Sequence, residues 1–487
     1  MSLHTEQDEL APVPEPEWVG HVIWWHVYPL GFVGAPQLNT DGDDDGSASG
    51  SASGSNFGSG SGSGFGSGSS GDPVVTHRLR RIIDWMDYAV QLGASGIALG
   101  PIFASETHGY DTVDYFRIDP RLGDESDFID LIAAAHSRGL RILLDGVFNH
   151  VGRGFAPFRR AVEGGPSVPE WNWFRSSDGD TLEGASDWSA APFATFEGHS
   201  ALVALNHDEP DVADHVTAAM SYWLDRGADG WRLDAAYAVA PAFWATVLPR
   251  VRASHPDAYL AGEVIHGDYS GFVRESKLDA VTQYEAWKAI WSSISDANFF
   301  ELAWALDRHN DYLDAFTPLT FIGNHDVTRI ASALDDARHL PHALVVLLTM
   351  GGTPSIYYGD EQGYTGVKEN RAGGDDAVRP EFPAQGPSGL SPHGWPAYRL
   401  HQELIGLRRR HAWLHKARTK TLQLTNTFYV YETRSGDDAL VVAVNIGDAE
   451  EEYVVGGLAG ILAGAGRVSG RAETTLLVPA HGWAVVG

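Results

Sequence analysis

From His21 the chain runs HVIWWHVYPLGF, a β-branched and aromatic stretch closed by Pro and Gly, which reads as a buried strand entering a loop. The next periodic stretch, THRLRRIIDWMDYAVQLG, sets Leu79, Ile82, Ile83, Met86 and Val90 at helical spacing, with Thr76 as the expected N-cap and Gly93 as the stop. SGIALGPIF then predicts a short strand, DESDFIDLIAAAHSRG a helix that starts with Asp and Glu and ends at Gly139, and LRILLDGVFNH a third strand. The rhythm continues, with DVADHVTAAMSYWLDRG and PAFWATVLPRVRAS as helices and DGWRLD and AYLAGEV as strands. DAVTQY, PLTFIGN and GGTPSIYYG bring the strand candidates to eight, and Val345 to Met350 leads directly into the last. This alternation predicts an α/β fold, a closed (β/α)8 barrel of TIM type, in preference to an open doubly wound sheet.

Two departures from the rhythm divide the chain. Residues 151–205 are too long for an ordinary βα loop and rich in Trp, Phe, Gly and Pro, which predicts a small subdomain inserted after strand three. From Arg418 onward helical patterns stop, and TLQLTNTFYVYET, DALVVAVNI and TTLLVPAHGWAVV alternate as antiparallel strands do. The expected organisation is a tail over 1–20, the first part of the barrel over 21–150, the subdomain over 151–205, the rest of the barrel over 206–417 and an antiparallel β domain over 418–487. Inside the first barrel segment, residues 41–73 carry the Gly/Ser run Gly46 to Gly71. Its flanks are strand one and the helix after it, so it is an insertion in the first βα loop and not a tether between domains. It has almost no side chains to bury against an ordering cost of roughly 1 to 2 kcal/mol per residue.

Composition narrows the partners. Thirty-four Lys and Arg against 64 Asp and Glu give a formal charge of −30, which repels phosphate backbones and anionic membrane surfaces, so neither nucleic acid nor membrane is an expected partner. The absence of cysteine removes disulfides, thiolate metal sites and thiol nucleophiles. The opening MSLHTEQDELAPVPEPEW has no basic and then apolar leader pattern, and no run approaches the roughly 18 apolar residues of a membrane span, so a soluble, cytoplasmic enzyme is expected.

In such a barrel the reacting groups stand at the C-terminal ends of strands. Strand three ends in Asp145, Asn149 and His150, strand four in Arg232 and Asp234, strand five in Glu263, and strand seven in Asn324, His325 and Asp326. A single acidic strand end is commonly structural; three, two of them with His or Arg beside them, point to chemistry between carboxylates. His150 and His325 as metal ligands would need three or more converging partners. Gly66, Gly68 and Gly71 spell G-x-G-x-x-G, but alternating Gly and Ser produces that by chance and no strand runs into it, which speaks against a dinucleotide site.

GYDTVDY, DGVFNH, GWRLDAA, GEVIHG and FIGNHD, in this order and at these strand ends, resemble the α-amylase family of glycoside hydrolases. The resemblance implies a retaining glycosidase with Asp234 as nucleophile, Glu263 as general acid and base, and Asp326 as the carboxylate that holds sugar hydroxyls. It implies that Tyr110 stacks on the sugar, that Asp111 bonds its far hydroxyls, that His150 and His325 contact the ring in the cleaved subsite, and that Arg232 lies beside Asp234. In the exo-acting members the Asp111 position pairs with an arginine after strand eight, for which Arg379 is the candidate, closing a pocket for a chain end. Asn149 holds a position that binds calcium in many members, while the rest of a calcium cage is not evident and Asn206 lies in a segment of unusual form. No cofactor is expected to be required, and calcium is the one candidate ion. Trp171, Trp173 and Trp188 are candidate stacking surfaces in the inserted subdomain, set against ordinary packing.

The chemistry agrees. Two carboxyls about 5 to 5.5 Å apart can protonate a leaving oxygen and trap the sugar with retention, and strands four and five are neighbours. The two must differ in protonation near neutral pH, with Arg232 expected to favour the ionised form of Asp234. The expected substrate is an oligosaccharide with α-glucosidic, mainly α-1,4, bonds. GWRLDAAYAVAPAFW and GGTPSIYYGDEQG look most like the cyclomaltodextrinase and neopullulanase branch, whereas HGYD and a pair between Asp111 and Arg379 would lean toward α-glucosidases. Transglycosylation or sugar isomerisation uses the same residues, and a non-catalytic sugar-binding barrel is disfavoured because all three acidic positions are filled. For the Gly/Ser run the expectation is an inert solvated loop. Deleting Gly46 to Gly71 should leave kcat and KM unchanged on short and long substrates alike, and a loss confined to one of them would mark the run as part of the site.

Overall fold

The computed structural model describes residues 14–38, 74–177, 192–371, 373–456, 460–469 and 474–487. The Gly/Ser run, with its Phe57 and Phe65, and Trp188 lie outside them. Strands β1 (Trp24–Val27), β2 (Gly96–Leu99), β3 (Arg141–Gly146), β4 (Gly230–Leu233), β5 (Tyr259–Gly262), β6 (Ala280–Val281), β7 (Leu319–Phe321) and β8 (Thr353–Tyr357) pair in parallel. Each neighbours the next, β8 returns to β1, and the ring closes between β6 and β7 by one parallel bridge, Thr282 to Leu319. This is the barrel that the alternation predicts. Its strands are short and buried on both faces, which is why they read as apolar runs without alternation. Trp24 lies so close over β2 that a Cβ on Gly96 would meet its ring at 2.4 Å, so only glycine fits there.

The helices follow their patterns with one break. Between Thr76 and Gly93 there are two short helices, Arg80–Ile83 and Met86–Leu92, joined by a tightened turn in which the Trp85 amide donates to the Ile82 carbonyl at 3.1 Å. Of the predicted stripe Leu79, Ile82 and Met86 are buried and Ile83 is half-buried, but Val90 is exposed and Leu92 is buried in its place. Thr76 is not the N-cap, because its hydroxyl donates to the carbonyls of Pro120 and Arg121. Gly93 does stop the helix, at φ +104°. The helix Glu125–Ser137 opens with a capping box in which the Asp124 and Asp127 carboxylates each accept the other's amide. Asp127, fully buried, also receives Arg80 at 2.5 Å and His77 at 2.7 Å, so one carboxylate ties this cap to the chain leading into the first helices. Val345 to Met350 falls in the buried helix Leu340–Thr349 and its C-cap.

After β3 the chain forms a hairpin of His150–Gly152 with Leu202–Ala204 and a helix, Ala156–Gly164. The subdomain's own core is aromatic, with Phe158 edge-on to Phe174 and Phe193 at 5.0 Å each. From Arg418 two antiparallel sheets form: β9 (Arg418–Leu424), β10 (Phe428–Ser435), β11 (Asp438–Asn445), β13 (Ile461–Gly464) and β16 (Trp483–Val486) in one, β12 (Glu451–Val455), β14 (Arg467–Ser469) and β15 (Thr474–Val478) in the other. Alternate residues of β10 serve two cores: Phe428 and Val430 pack between the sheets, Tyr429 and Tyr431 against the barrel. Among the described residues no helix is long and apolar enough to cross a membrane. Replacing Asp124 by Ala should lower unfolding stability by about 1 kcal/mol, and Asp127→Ala by a similar amount, because Arg80 and His77, which it releases, are more than half exposed and water takes its place; denaturant titration of both variants checks this.

Candidate active site

The strand ends converge on one guanidinium. Arg232 in β4 reaches both oxygens of Asp145 at 2.8 Å, Asp234 at 2.9 Å and Glu263 at 2.8 Å. Asp145 lies in β3, while Asp234 and Glu263 follow the last residues of β4 and β5, so three adjacent strands deliver three carboxylates to one cation. Arg232 therefore does not single out Asp234, as the sequence led us to expect, but touches Asp234 and Glu263 alike. Burial pushes the Asp234 carboxyl well above its ordinary range against the pull of Arg232, and the charges of Glu263, Asp145 and Asp326 add to the rise. Burial also raises Asp145. One positive charge against three buried carboxylates leaves the cluster holding a proton until the surroundings become basic enough to remove it.

Glu263 is oriented by three donors. Its Oε1 accepts from the Tyr284 hydroxyl at 2.9 Å as well as from Arg232, and its Oε2 accepts from the Ala235 amide at 3.0 Å. Ala235 adopts φ +44°, a left-handed conformation unusual for a residue with a Cβ, and this turn aims the amide next to Asp234 back at Glu263. Asn324 donates to the Tyr284 hydroxyl at 2.9 Å and accepts the Asp326 amide at 2.8 Å, linking the strand five and strand seven acids.

Asp326 has the opposite electrostatics. Burial opposes ionisation, yet His325 at 2.9 Å and Arg379 at 2.8 Å hold its carboxyl well below the usual range. His325 is fully buried between the parallel rings of Tyr28, at 5.9 Å, and Tyr110, at 5.2 Å. The Tyr110 hydroxyl bonds to His325 and to Asp145. His150 donates from Nε2 to the Tyr110 carbonyl at 3.0 Å, stacks on Phe196 at 4.6 Å, and burial lowers it to about 4, so it is a neutral hydrogen-bonding group at neutral pH.

Arg379 and Asp111 do not pair. Arg379 is taken up by Asp326, by Asp375 at 3.1 Å and by the His325 carbonyl, with its guanidinium 4.7 Å over Tyr28. Asp111 is buried and accepts from Thr107 at 2.5 Å, while its other oxygen has no partner. The closed floor expected of an exo-acting site is thus absent in this form, because the nearer carboxylates win the arginine. Nor do Trp171 and Trp173 face the acids: Trp171 packs on Phe193 and Trp173 on Phe155 and His215.

Asp234, Glu263 and Asp326 instead line an open cavity of about 420 Å³ whose walls are Tyr110, His150, Phe196, Tyr237, Tyr284 and Trp287, with Lys368 at one side. A wider cavity of about 540 Å³ continues from Asp326 and Lys368 along Trp287 and Trp291. Tyr284, Phe196, Trp287 and Lys368 escaped the sequence reading. Tyr284 closes DAVTQY, and reading strand ends for tyrosine as well as charge would have found it; Phe196 and Lys368 sit in loops with no pattern to mark them. Asn149, the calcium candidate, donates its amide NH2 to His150 Nδ1, and the Arg175 guanidinium reaches Asn206 Oδ1 and Asp208 Oδ2 at 2.6 Å each.

A profile of the α-amylase catalytic domain matches residues 40–386. The maltogenic α-amylase of Bacillus acidopullulyticus is 33% identical over 368 residues, covering 73% of this chain and 58% of that protein. A cyclomaltodextrinase of Bacillus sp is 30% identical over 446 residues, covering 88% of this chain and 73% of that protein. The chain therefore spans less than two thirds of the length of the first relative. Among solved structures, the native debranching enzyme of Nostoc punctiforme superimposes with a TM-score of 0.77 at 26% identity, covering 98% of this chain and 99% of that one. A cyclomaltodextrinase superimposes with a TM-score of 0.78 at 27% identity, covering 98% and 80%. With the barrel, the carboxylates at its strand ends and the match over most of its length, the chain belongs to the α-amylase family.

Proposed function

We propose that this chain is a retaining glycoside hydrolase that cleaves α-glucosidic, mainly α-1,4, bonds in malto-oligosaccharides or short α-glucans through a covalent glycosyl-enzyme. The observation that carries the reading is the shared guanidinium: Arg232 joins Asp234 and Glu263 at one wall of a cavity while Asp326 enters it from β7 under separate control. Glu263 gives its proton to the leaving oxygen as the Asp234 carboxylate closes on the anomeric carbon. It then takes a proton from the water that releases the sugar. Arg232 supports this exchange because charge lost from one carboxylate and gained by the other stays against the same cation. Asp326, held ionised by His325 and Arg379, is suited to accept hydroxyl hydrogen bonds that strengthen as the ring flattens. The resemblance to cyclomaltodextrinases and maltogenic amylases supports the substrate class, and with Arg379 held by Asp326 and Asp375 rather than by Asp111 the reason to favour chain ends falls away. Transfer to an acceptor sugar is favoured by the Trp287 and Trp291 cavity, whose aromatic faces can hold a second sugar where water would otherwise attack. We further infer a catalytic cycle without calcium, on the grounds that Arg175 fills the cation's role, and a cytoplasmic setting suited to the acidic surface.

Asp234→Asn should reduce kcat/KM on maltotriose at least about 10³-fold, and proton NMR of the early product should show the α anomer; a β product would overturn the retaining mechanism. Because Asp234 must ionise to act and its carboxyl is pushed up, kcat/KM should rise with pH along a limb above the ordinary carboxylate range. Asp145→Asn removes a like charge and a competitor for Arg232, so that limb should move to lower pH, by on the order of 1 unit. Trp287→Ala should lower the ratio of transfer to hydrolysis products at high substrate while sparing hydrolysis of the shortest substrate.

A further inference from the structure

Away from the cavity, at the seam between the barrel and the C-terminal sheets, Asp336, His339 and His481 bring their ligand atoms within 4.8 Å of one another. His339 Nε2 and His481 Nδ1 face each other at 3.0 Å. In a tetrahedral zinc site with Zn–N bonds of about 2.0 to 2.1 Å, neighbouring nitrogens lie about 3.3 Å apart, so this spacing is already close to a coordination edge. The Asp448 carboxylate lies 2.9 Å from His481 Nε2. That contact puts the His481 proton on Nε2 and turns the lone pair of Nδ1 toward His339, the carboxylate-to-histidine arrangement that commonly stands behind a metal ligand. His339 is nine-tenths buried, and the Asp336 carboxylate accepts from the Arg338 amide at 2.9 Å. The Arg338 guanidinium reaches both Asp336 oxygens, at 2.6 to 3.0 Å, but its side chain is 60% exposed, so an ion taking the carboxylate would turn it out into water. The other comparable group among the described residues, His77, Asp124 and Asp127, is spent on the helix cap and Arg80.

The geometry points to a divalent transition-metal site, best suited to Zn²⁺, formed by His339 Nε2, His481 Nδ1 and an Asp336 oxygen, with water as the fourth ligand and Asp448 behind His481. Two imidazoles and one carboxylate suit zinc and exclude the all-oxygen shells of calcium and magnesium. Without the ion His339 Nε2–H donates to the His481 Nδ1 lone pair at 3.0 Å, so binding requires that proton to leave Nε2, by release or by transfer to Nδ1. His339 precedes the helix Leu340–Thr349 of the barrel, and His481 occupies the turn before β16, so the ion would pin the C-terminal sheets to the barrel. His342 already does this without metal by bonding from Nε2 to the carbonyls of Asn445 and Gly482.

The test uses the full chain without a histidine tag, stripped with chelator and titrated with ZnCl₂ by calorimetry. One saturable site per chain with a Kd in the micromolar range or below is expected, together with a rise of about 2 to 5 °C in the unfolding midpoint that chelator reverses. His339→Ala and His481→Ala should weaken binding at least about 100-fold, and Asp448→Asn about 10-fold. If the alanine variants do not fold, the wild-type protein loaded with Co²⁺ decides, since tetrahedral His and carboxylate coordination gives intense visible absorption bands that Zn²⁺ abolishes stoichiometrically. Absence of a saturable Zn²⁺ site, affinity undiminished in folded variants, or only weak octahedral Co²⁺ bands would overturn the proposal.

Discussion

A buried arginine with too many carboxylates around it organises this molecule. Arg232 is only 12% exposed and touches Asp145, Asp234 and Glu263. Removing it would leave three acids without a counter-charge at the top of the barrel, where water cannot solvate them. The parallel β3, β4 and β5 place these side chains in register, with Asp145 opposite Arg232 and Leu233 opposite Gly262. The excess of negative charge is itself useful, because a cluster that must hold a proton can pass it between a sugar oxygen and water.

The third acid is managed by a separate device. Asp326 receives His325 and Arg379, and both are held by aromatic rings: Tyr28 and Tyr110 enclose the imidazole, and Tyr28 lies under the guanidinium. Tyr28 follows β1, Tyr110 comes from the loop after β2, and Arg379 follows β8. A carboxylate that follows β7 is thus set by residues from three other βα units, while its charge still adds to the rise at Asp234. The two electrostatic regimes sit in one cavity, linked through Asn324 and Tyr284.

The C-terminal sheets depend on the barrel through shared burial more than through charge. The helix Leu340–Thr349 is buried over most of its length because the barrel lies on one side and β10, β11 and β16 on the other. Thr349 bonds to Tyr431 at 2.6 Å and Thr433 to the Thr349 carbonyl at 2.9 Å, so the end of a barrel helix and an edge of the β domain satisfy each other. His339 and His342, at the start of the same helix, meet the β domain at the far end of that contact.

Much of this was legible from local pattern. Apolar runs of strand length, helical spacing between them, Asp and Glu at a helix start and Gly93 as a stop are properties of short segments, and the chain expresses them wherever it folds; eight repeats then leave few architectures open. The same reasoning located Asp234, Glu263, Asp326, Arg232, His150 and His325, because strand ends are where charge is conspicuous. It did not decide which carboxylate an arginine answers to. Arg379 could meet Asp111 or Asp326, and Arg232 could serve one acid or three, since these outcomes turn on distances of a few ångströms between segments far apart in the chain, and Coulomb energy in a buried site is settled at that scale. Nor could it see Phe196, Lys368 and the meeting of His339 with His481. Segment identity follows from the period of burial along the chain; partnership follows from the packing that brings distant segments into contact, and only the tertiary structure contains it.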